Sequence, residues 1–306
     1  MPDCRSSNKS LSTYFGLPVL ACGTILVVAA CGGDGQSVSG PNNDQGPEYC
    51  GTPTPSANEI ASVESLLATV PATRAAGDVT IPVYVHVITM DDGSLDVADA
   101  TITEQIRIMN EAFAGLQAPG GYKTKFKFQF VSTDRTANSA WCTSARDSAD
   151  EVAMKTALRR GSADDLNLYI RDLPPGLGGY GGFPWWYPGA PHMDGPTIDY
   201  TGVVGYSSSA LGDLAVHEVG HWLGLYHTFQ GGCEKNNDYV SDTPAQAGPT
   251  WGCPAGNVDT CTGNRFPGYD PTMNFMDYTA NACQYQFTKA QSSRMDSMWA
   301  TYRAGK

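Results

Sequence analysis

Four stretches of the chain carry the hydrophobic patterns of β-strands. Residues 81–89 (IPVYVHVIT) are largely β-branched and aromatic, a composition that favours a strand. Residues 125–131 alternate lysine or glutamine with phenylalanine, which predicts a strand with one buried face. Residues 166–170 form another predicted strand, and residues 201–207 (TGVVGYS) a predicted edge strand that could bind an extended peptide. Residues 176–188 (GLGGYGGFPWWYP) hold too much glycine and proline for regular structure, so we expect a loop there.

Four other stretches have helical patterns. Residues 60–70 have a short apolar periodicity, and residues 151–160 predict a short helix. A long helix is predicted to begin at a capping box formed by Thr101 and Glu104. Its apolar side chains recur at helical spacing, at Ile102, Ile106, Met109 and Phe113. A C-terminal helix is predicted to begin with a second capping box, formed by Thr288 and Gln291. Met295, Met298 and Trp299 then share the face that we expect to be buried.

The first apolar run of the chain is typical of an export signal. Basic residues precede residues 14–30, and VAAC ending at Cys31 resembles a bacterial lipobox. Cleavage before Cys31 would leave this cysteine lipidated and the protein anchored to a membrane, at the cell surface or the outer membrane. An ordinary signal peptide cut nearby, with secretion, is the alternative. Residues 1–31 are therefore the predicted signal peptide, and the Gly-, Pro- and Ser-rich residues 32–58 a flexible tether.

Charge excludes one class of partner. The 306-residue chain has a net charge of −12, whereas a nucleic-acid-binding protein is expected to present a basic patch. Nucleic acid is therefore not an expected partner. An acidic surface is typical of many secreted enzymes and is compatible with calcium binding.

The strongest chemical signal is the run HEVGHWLGLYH, which begins at His217. His217 and His221 are four residues apart, so they share one face of a helix. Gly224 can adopt a positive φ that other residues avoid, and the chain can then turn back to bring His227 to the same ion. Three protein ligands leave one position for water, as in catalytic rather than structural zinc sites. Glu218 follows the first ligand and could accept a proton from that water.

A buried core helix with satisfied histidines is the alternative interpretation of this run. Three of the chain's five histidines lie within it, however, together with the matching glycine and glutamate. The pattern is the metzincin signature, which also requires a methionine turn beneath the metal. Residues 274–278 (NFMDY) fit that requirement: Met276 would lie under the imidazoles, and Tyr278 could reach the metal or the oxyanion.

Several motifs together resemble the pappalysin family of metzincins, of the ulilysin-like secreted microbial type. They are VHEVGHWLGLYHTF, DYVSDTP, NFMDYT and QFTKAQSSRMDSMWATYR. The resemblance runs from about Cys50 to the C-terminus. It implies an α+β, metzincin-type catalytic domain over residues 76–306, with a twisted mixed five-stranded sheet, an active-site helix, a backing helix and an irregular C-terminal subdomain. It also implies zinc-dependent endopeptidase activity on polypeptide substrates and, often, structural calcium.

The nine cysteines fall into groups. Four of them lie between the histidine-rich run HEVGHWLGLYH and the predicted C-terminal helix, namely Cys233, Cys253, Cys261 and Cys283. An exported protein keeps disulfides, so these four are expected to form two bridges, and the spacing alone leaves three pairings open. The family resemblance implies Cys233 with Cys261 and Cys253 with Cys283. A second zinc site built from these thiols is the alternative.

Cys50 lies in EYCGTPTPS, before the catalytic domain. Pappalysin relatives carry a similar Cys-Gly-Thr motif in their pro-segments, where it resembles a cysteine switch. Residues 48–75 would then be a pro-segment whose thiolate excludes the catalytic water until cleavage, for example near Arg74. A disulfide between Cys50 and Cys142 is the alternative.

The segment DYVSDTP gathers oxygen donors within a short loop, which suits calcium. The family resemblance implies calcium here, with Asp238, the carbonyl of Val240 and Thr243 as ligands. A solvated acidic turn is the alternative. For the whole chain, a non-catalytic surface lipoprotein or adhesion module is the main alternative to a protease, and a hydrolase of cell-wall peptides is another. The intact Glu218 favours the protease, since a binding module needs no general base.

Overall fold

The computed structural model describes residues 50–70 and 77–306. The predicted signal peptide, Cys31 and Arg74 lie outside these residues. The tether predicted for residues 32–58 is too long, because the chain from Cys50 onward packs against the rest of the molecule. Gly51 N donates to Gly179 O at 2.7 Å, and a helix begins at Ala57.

A five-stranded sheet forms the framework. Its strands are β1 (Val79–Thr89), β2 (Phe126–Ala137), β3 (Leu166–Arg171), β4 (Gly179–Tyr180) and β5 (Thr197–Asp199). They lie in the order β2-β1-β3-β5-β4, and all pairs are parallel except β4 with β5. The mixed five-stranded sheet expected for a metzincin is therefore confirmed.

The edge strand predicted at residues 201–207 is wrong. That segment follows β5 as a 3-10 turn, Tyr200–Gly202, and further turns. The sheet edge is instead β4, inside the stretch that its glycine content predicts to be a loop. β4 lies so close to the active-site helix that a Cβ on Gly179 would come 3.1 Å from Glu218 Cγ. Glycine permits this close approach. A propensity scale counts glycine only as a strand breaker and so does not predict a strand here.

The described part of the chain forms six α-helices. They are α1 (Ala57–Thr69), α2 (Asp99–Phe113), α3 (Ser139–Cys142), α4 (Ala149–Leu158), α5 (Asp213–Trp222) and α6 (Lys289–Met298). The predicted capping box of α6 is present, since Thr288 and Gln291 bond each other's backbone N–H. The one predicted for α2 is absent, because α2 begins two residues before Thr101, with Ala98 at its N-cap.

The main core lies between the sheet, the backing helix α2 and the active-site helix α5. It contains alternate residues of β1, the apolar face of α2 and the buried side chains around Met276. Gln105 of α2 is also buried, and its amide bonds Gly212 O at 2.8 Å and Val204 N at 3.1 Å. This side chain therefore ties α2 to the chain that enters α5. A second cluster packs α4 against the other face of the sheet, through Ile88, Cys142, Met154, Leu158 and Tyr169.

The C-terminal subdomain is mostly irregular and contains two disulfides. Cys233 pairs with Cys261, and Cys253 pairs with Cys283. This is the pairing that the family resemblance implies. Cys50 and Cys142 are both free and buried, so the alternative disulfide between them is not formed. Within residues 50–70 and 77–306, no helix combines the length and apolar character needed to cross a bilayer.

Candidate active site

Helix α5 and the turn after it bring the three predicted histidines together. His217 and His221 lie on one face of α5, and their Nε2 atoms are 3.2 Å apart. Gly224 has a φ of 91°, and Gly224 N donates to His221 O at 2.8 Å. The turn that follows places His227 Nε2 3.0 Å from His221 Nε2. A Cβ on Gly224 would lie 2.4 Å from Met298 Cγ, so both the backbone angle and the packing require glycine here.

The hydrogen bonds of the rings fix which nitrogen faces the centre. His217 Nδ1 bonds Phe275 O at 2.6 Å, and His221 Nδ1 bonds Leu225 O at 2.8 Å. A carbonyl only accepts, so each Nδ1 carries the hydrogen and each Nε2 of these two rings presents a lone pair. Burial lowers the pKa of His217 to about 4, and burial also lowers the pKa of His221 and His227 well below the usual value.

These observations test whether the site suits a metal ion. The lone pairs of His217 and His221 Nε2 face each other at 3.2 Å and repel unless a cation lies between them. Three histidine nitrogens are also the ligand set of many catalytic zinc sites. Among the described residues, the Cys50 sulfur joins these nitrogens in a group whose atoms all lie within 4.8 Å of one another. The donor set therefore fits zinc.

Glu218 lies beside this centre and is fully buried. Its Oε2 accepts a hydrogen bond from Thr52 Oγ1 at 2.9 Å, whereas Oε1 makes none within the described part of the chain. Burial raises the pKa of Glu218 to about 8, and the side chains of Cys50 and Thr52 act in the opposite direction. A cation held by the histidines would favour the carboxylate further and so lower this pKa.

The methionine turn forms the floor of the site. Met276 is fully buried, and a Cβ on Gly220 of α5 would come 2.4 Å from its sulfur. Phe275, which precedes Met276, supplies the carbonyl that orients His217, so the methionine turn fixes the position of α5. The Tyr278 hydroxyl lies 3.2 Å from His227 Nε2 and donates to Cys50 O at 3.1 Å. The sequence predicts both Met276 and Tyr278 at this centre.

The predicted calcium ligands also come together. Thr243 Oγ1 lies 2.7 and 2.8 Å from the two carboxylate oxygens of Asp238, to which its one hydrogen is donated, and 2.9 Å from Val240 O. All three residues are buried. Burial raises the pKa of Asp238 to about 7, against the effect of the hydrogen bonds from Thr243 and Val240.

Several residues of the site are not predicted from the sequence. Thr52 bonds Glu218, and Gly181 N donates to Thr52 Oγ1 at 2.7 Å. Arg146 donates from its guanidinium to Gly51 O. Thr52 belongs to the Cys-Gly-Thr motif, which points to the pro-segment. The spacing along the chain, however, gives no indication that Thr52 and Glu218 meet.

Taken with the mixed sheet, the histidine cluster and the methionine turn identify a metalloprotease of the metzincin class. Residues 159–300 match the peptidase M43 family, described as pregnancy-associated plasma protein-A. An extracellular metalloprotease of Pyricularia oryzae is 45% identical over 271 residues, which cover 84% of this chain and 90% of that protein. The chain belongs to this pappalysin family of metalloproteases.

Other relatives agree in sequence and in fold. An extracellular metalloprotease of Neurospora crassa is 40% identical over 84% of this chain and 90% of its own length. A promirolysin mutant of Tannerella forsythia has a TM-score of 0.67 at 28% identity, covering 80% of this chain and 88% of that one. Mature mirolysin in complex with a cleaved peptide has a TM-score of 0.63 at 31% identity, covering 73% and 92%. The chain is therefore an endopeptidase of a metal-dependent family.

Proposed function

We propose that the chain is a latent zinc endopeptidase in which His217, His221 and His227 hold the metal and Glu218 is the general base. The convergence of three buried, neutral imidazoles beside the buried Glu218 carboxylate supports this proposal. When bound, zinc supplies a Lewis acid that makes water nucleophilic near neutral pH. Glu218 takes the proton of the attacking water and delivers it to the leaving amine. The Tyr278 hydroxyl donates a hydrogen bond to the oxyanion.

We further propose that residues 48–75 keep the enzyme latent through Cys50. Its sulfur belongs to the same group of possible ligand atoms as the three histidines. Burial raises the pKa of the Cys50 thiol, and a zinc ion would lower it by favouring the thiolate. Helix α1 anchors the segment by Glu64, which bonds Arg294 at 2.6 and 3.1 Å, and by Glu59, which accepts from Trp186 at 2.9 Å.

Replacing the Cys50 thiol tests the zinc mechanism and the latency of the pro-segment in one assay. A serine hydroxyl is a poor zinc ligand, so Cys50→Ser should raise the initial rate of the intact chain on a quenched fluorescent peptide. The expected gain is about tenfold for each ~1.4 kcal/mol of docking free energy lost. Cys142→Ser is the matched control, because Cys142 is also free and buried but bonds Ile88 O in the second core.

A chelator arm checks the metal in the same assay. Chelation should remove the activity of the chain without its pro-segment, and zinc should restore it. Equal initial rates for the intact wild-type, Cys50→Ser and Cys142→Ser chains would contradict the latency proposal. Activity that survives complete metal removal would contradict the zinc mechanism.

We propose that residues 1–31 direct export, that Cys31 carries a lipid anchor, that residues 32–49 are the tether, and that residues 76–306 are the catalytic domain. The apolar run and lipobox pattern support the first two assignments. The extracellular relatives from Pyricularia oryzae and Neurospora crassa support export. Mass spectrometry of the exported protein would give its N-terminus and any lipid.

We also propose calcium at Asp238, Val240 O and Thr243, with a pH dependence set by the carboxyl. A protonated carboxyl binds calcium poorly, and burial raises this pKa to about 7. Calcium affinity should therefore fall by about tenfold for each pH unit below 7 and level off above it. Thermal unfolding with added calcium should show a larger rise in Tm at pH 8 than at pH 5.5. A calcium effect on Asp238→Asn as large as on the wild type would contradict this site.

A further inference from the structure

The Thr52 hydroxyl joins two groups of the cleft, the Glu218 carboxylate and Gly181 N. The Thr52 side chain is buried, and its hydroxyl lies between Glu218 and Gly181, which follows β4. Gly181 N can only donate, and it does so to Thr52 Oγ1 at 2.7 Å. The hydroxyl has one hydrogen, which therefore goes to Glu218 Oε2 at 2.9 Å. Donor and acceptor roles are thus fixed on both sides.

Both partners of this hydroxyl are groups that hydrolysis needs. A general base must have a lone pair ready for the proton of the attacking water, and Thr52 engages one carboxylate oxygen of Glu218. Gly181 directly follows β4, and its N–H is a donor that an extended peptide on this edge would use. One side chain therefore occupies a catalytic group and a substrate-binding group at once.

Gly51 holds Thr52 in place through both its N–H and its carbonyl. Gly51 N donates to Gly179 O at 2.7 Å, and Gly51 O accepts from the Arg146 guanidinium. A Cβ on Gly51 would come 2.6 Å from Leu177 Cδ1, so that methyl would have to shift to admit a larger residue. The backbone is thus fixed against β4 by contacts that involve neither the thiol nor a metal.

We propose that Thr52 is a second latch of the pro-segment, whose hydroxyl engages Glu218 Oε2 and blocks Gly181 N through hydrogen bonds that do not use the Cys50 thiol. This inference rests on the proposed function, because it assumes that Glu218 is the general base and that residues 48–75 confer latency. Full activity then requires withdrawal of two side chains with different chemistry. Loss of the thiol alone leaves the carboxylate still engaged.

The test compares full-length chains in the Cys50→Ser background. Thr52→Val removes the hydroxyl with little change of shape, Thr52→Ser keeps it, and Thr54→Val makes the same change at an exposed position two residues on. Initial rates are measured on a short fluorescent peptide, and gels confirm that the chains are uncleaved. Loss of a hydrogen bond to a charged group predicts a rate about 10- to 100-fold higher for Thr52→Val than for the other two.

Removal of the pro-segment provides the internal standard. All variants then yield the same catalytic chain, so equal final rates show that each one folded correctly. If these final rates are high and intact Thr52→Val is as slow as Thr52→Ser and Thr54→Val, the second latch is wrong. If the processed chain is inactive with zinc bound, the proposed function itself fails.

Discussion

Glu218→Ala in the chain without its pro-segment should retain zinc and lose almost all proteolysis. The three histidines bind through nitrogens that the substitution does not touch, whereas the attacking water loses its proton acceptor. General-base catalysis contributes about 10²–10⁴-fold, so we expect kcat/KM to fall by that factor. Peptide cleavage rates and metal analysis of the same sample measure both effects.

Two controls separate catalysis from folding. Glu218→Gln keeps the shape and one hydrogen-bonding oxygen but cannot take the proton, so it should be about as inactive as the alanine variant. Glu234→Ala makes the same change at an exposed position and should keep wild-type activity. The proposed mechanism would be wrong if Glu218→Gln, with zinc bound, cleaved peptides at the wild-type rate.

The metal site is the part of the molecule that the sequence predicts best. Its ligands lie within eleven residues, and helix periodicity plus one glycine determines how they meet. Local geometry therefore suffices for His217, His221 and His227. The positive φ of Gly224 is likewise expected from sequence, although its close contact with Met298 depends on the distant helix α6.

Strand β4 shows where sequence patterns fail. β4 has only two residues, and one is glycine, so neither composition nor alternation marks it as a strand. Its conformation is imposed by pairing with β5 and by contact with α5, both of which are distant in sequence. Thr52 was missed for the same reason, since its partner Glu218 lies 166 residues away. Contacts of this kind follow from the tertiary fold alone.

Arg303→Met should be the most destabilising of the substitutions considered. Arg303 is fully buried, and its guanidinium bonds Asp194 at 3.0 and 3.1 Å, Trp222 O at 2.9 Å and Ala163 O at 2.9 Å. Removing Arg303 leaves Asp194 with the longer pair to Arg159, at 3.9 Å, and breaking a buried ion pair costs about 3–5 kcal/mol. Urea unfolding of the processed chain should show this loss in the free energy of unfolding.

The position of this pair links stability to the active site. Trp222 is the last residue of α5 and directly follows His221, so Arg303 holds the carbonyl at the end of the zinc helix. Asp194 also accepts from the Trp222 indole at 3.0 Å. Arg303→Met should therefore weaken zinc binding as well, which competition with a chelator would measure.

A double variant separates lost packing from the unpaired charge. Asp194→Asn combined with Arg303→Met removes both charges, and it should recover part of the loss because no buried carboxylate remains without its partner. Arg107→Met is the surface control. Arg107 pairs with Glu104 in a half-exposed setting, where such pairs contribute about 0–1 kcal/mol. If Arg303→Met costs no more than Arg107→Met, the buried pair does not stabilise the end of α5.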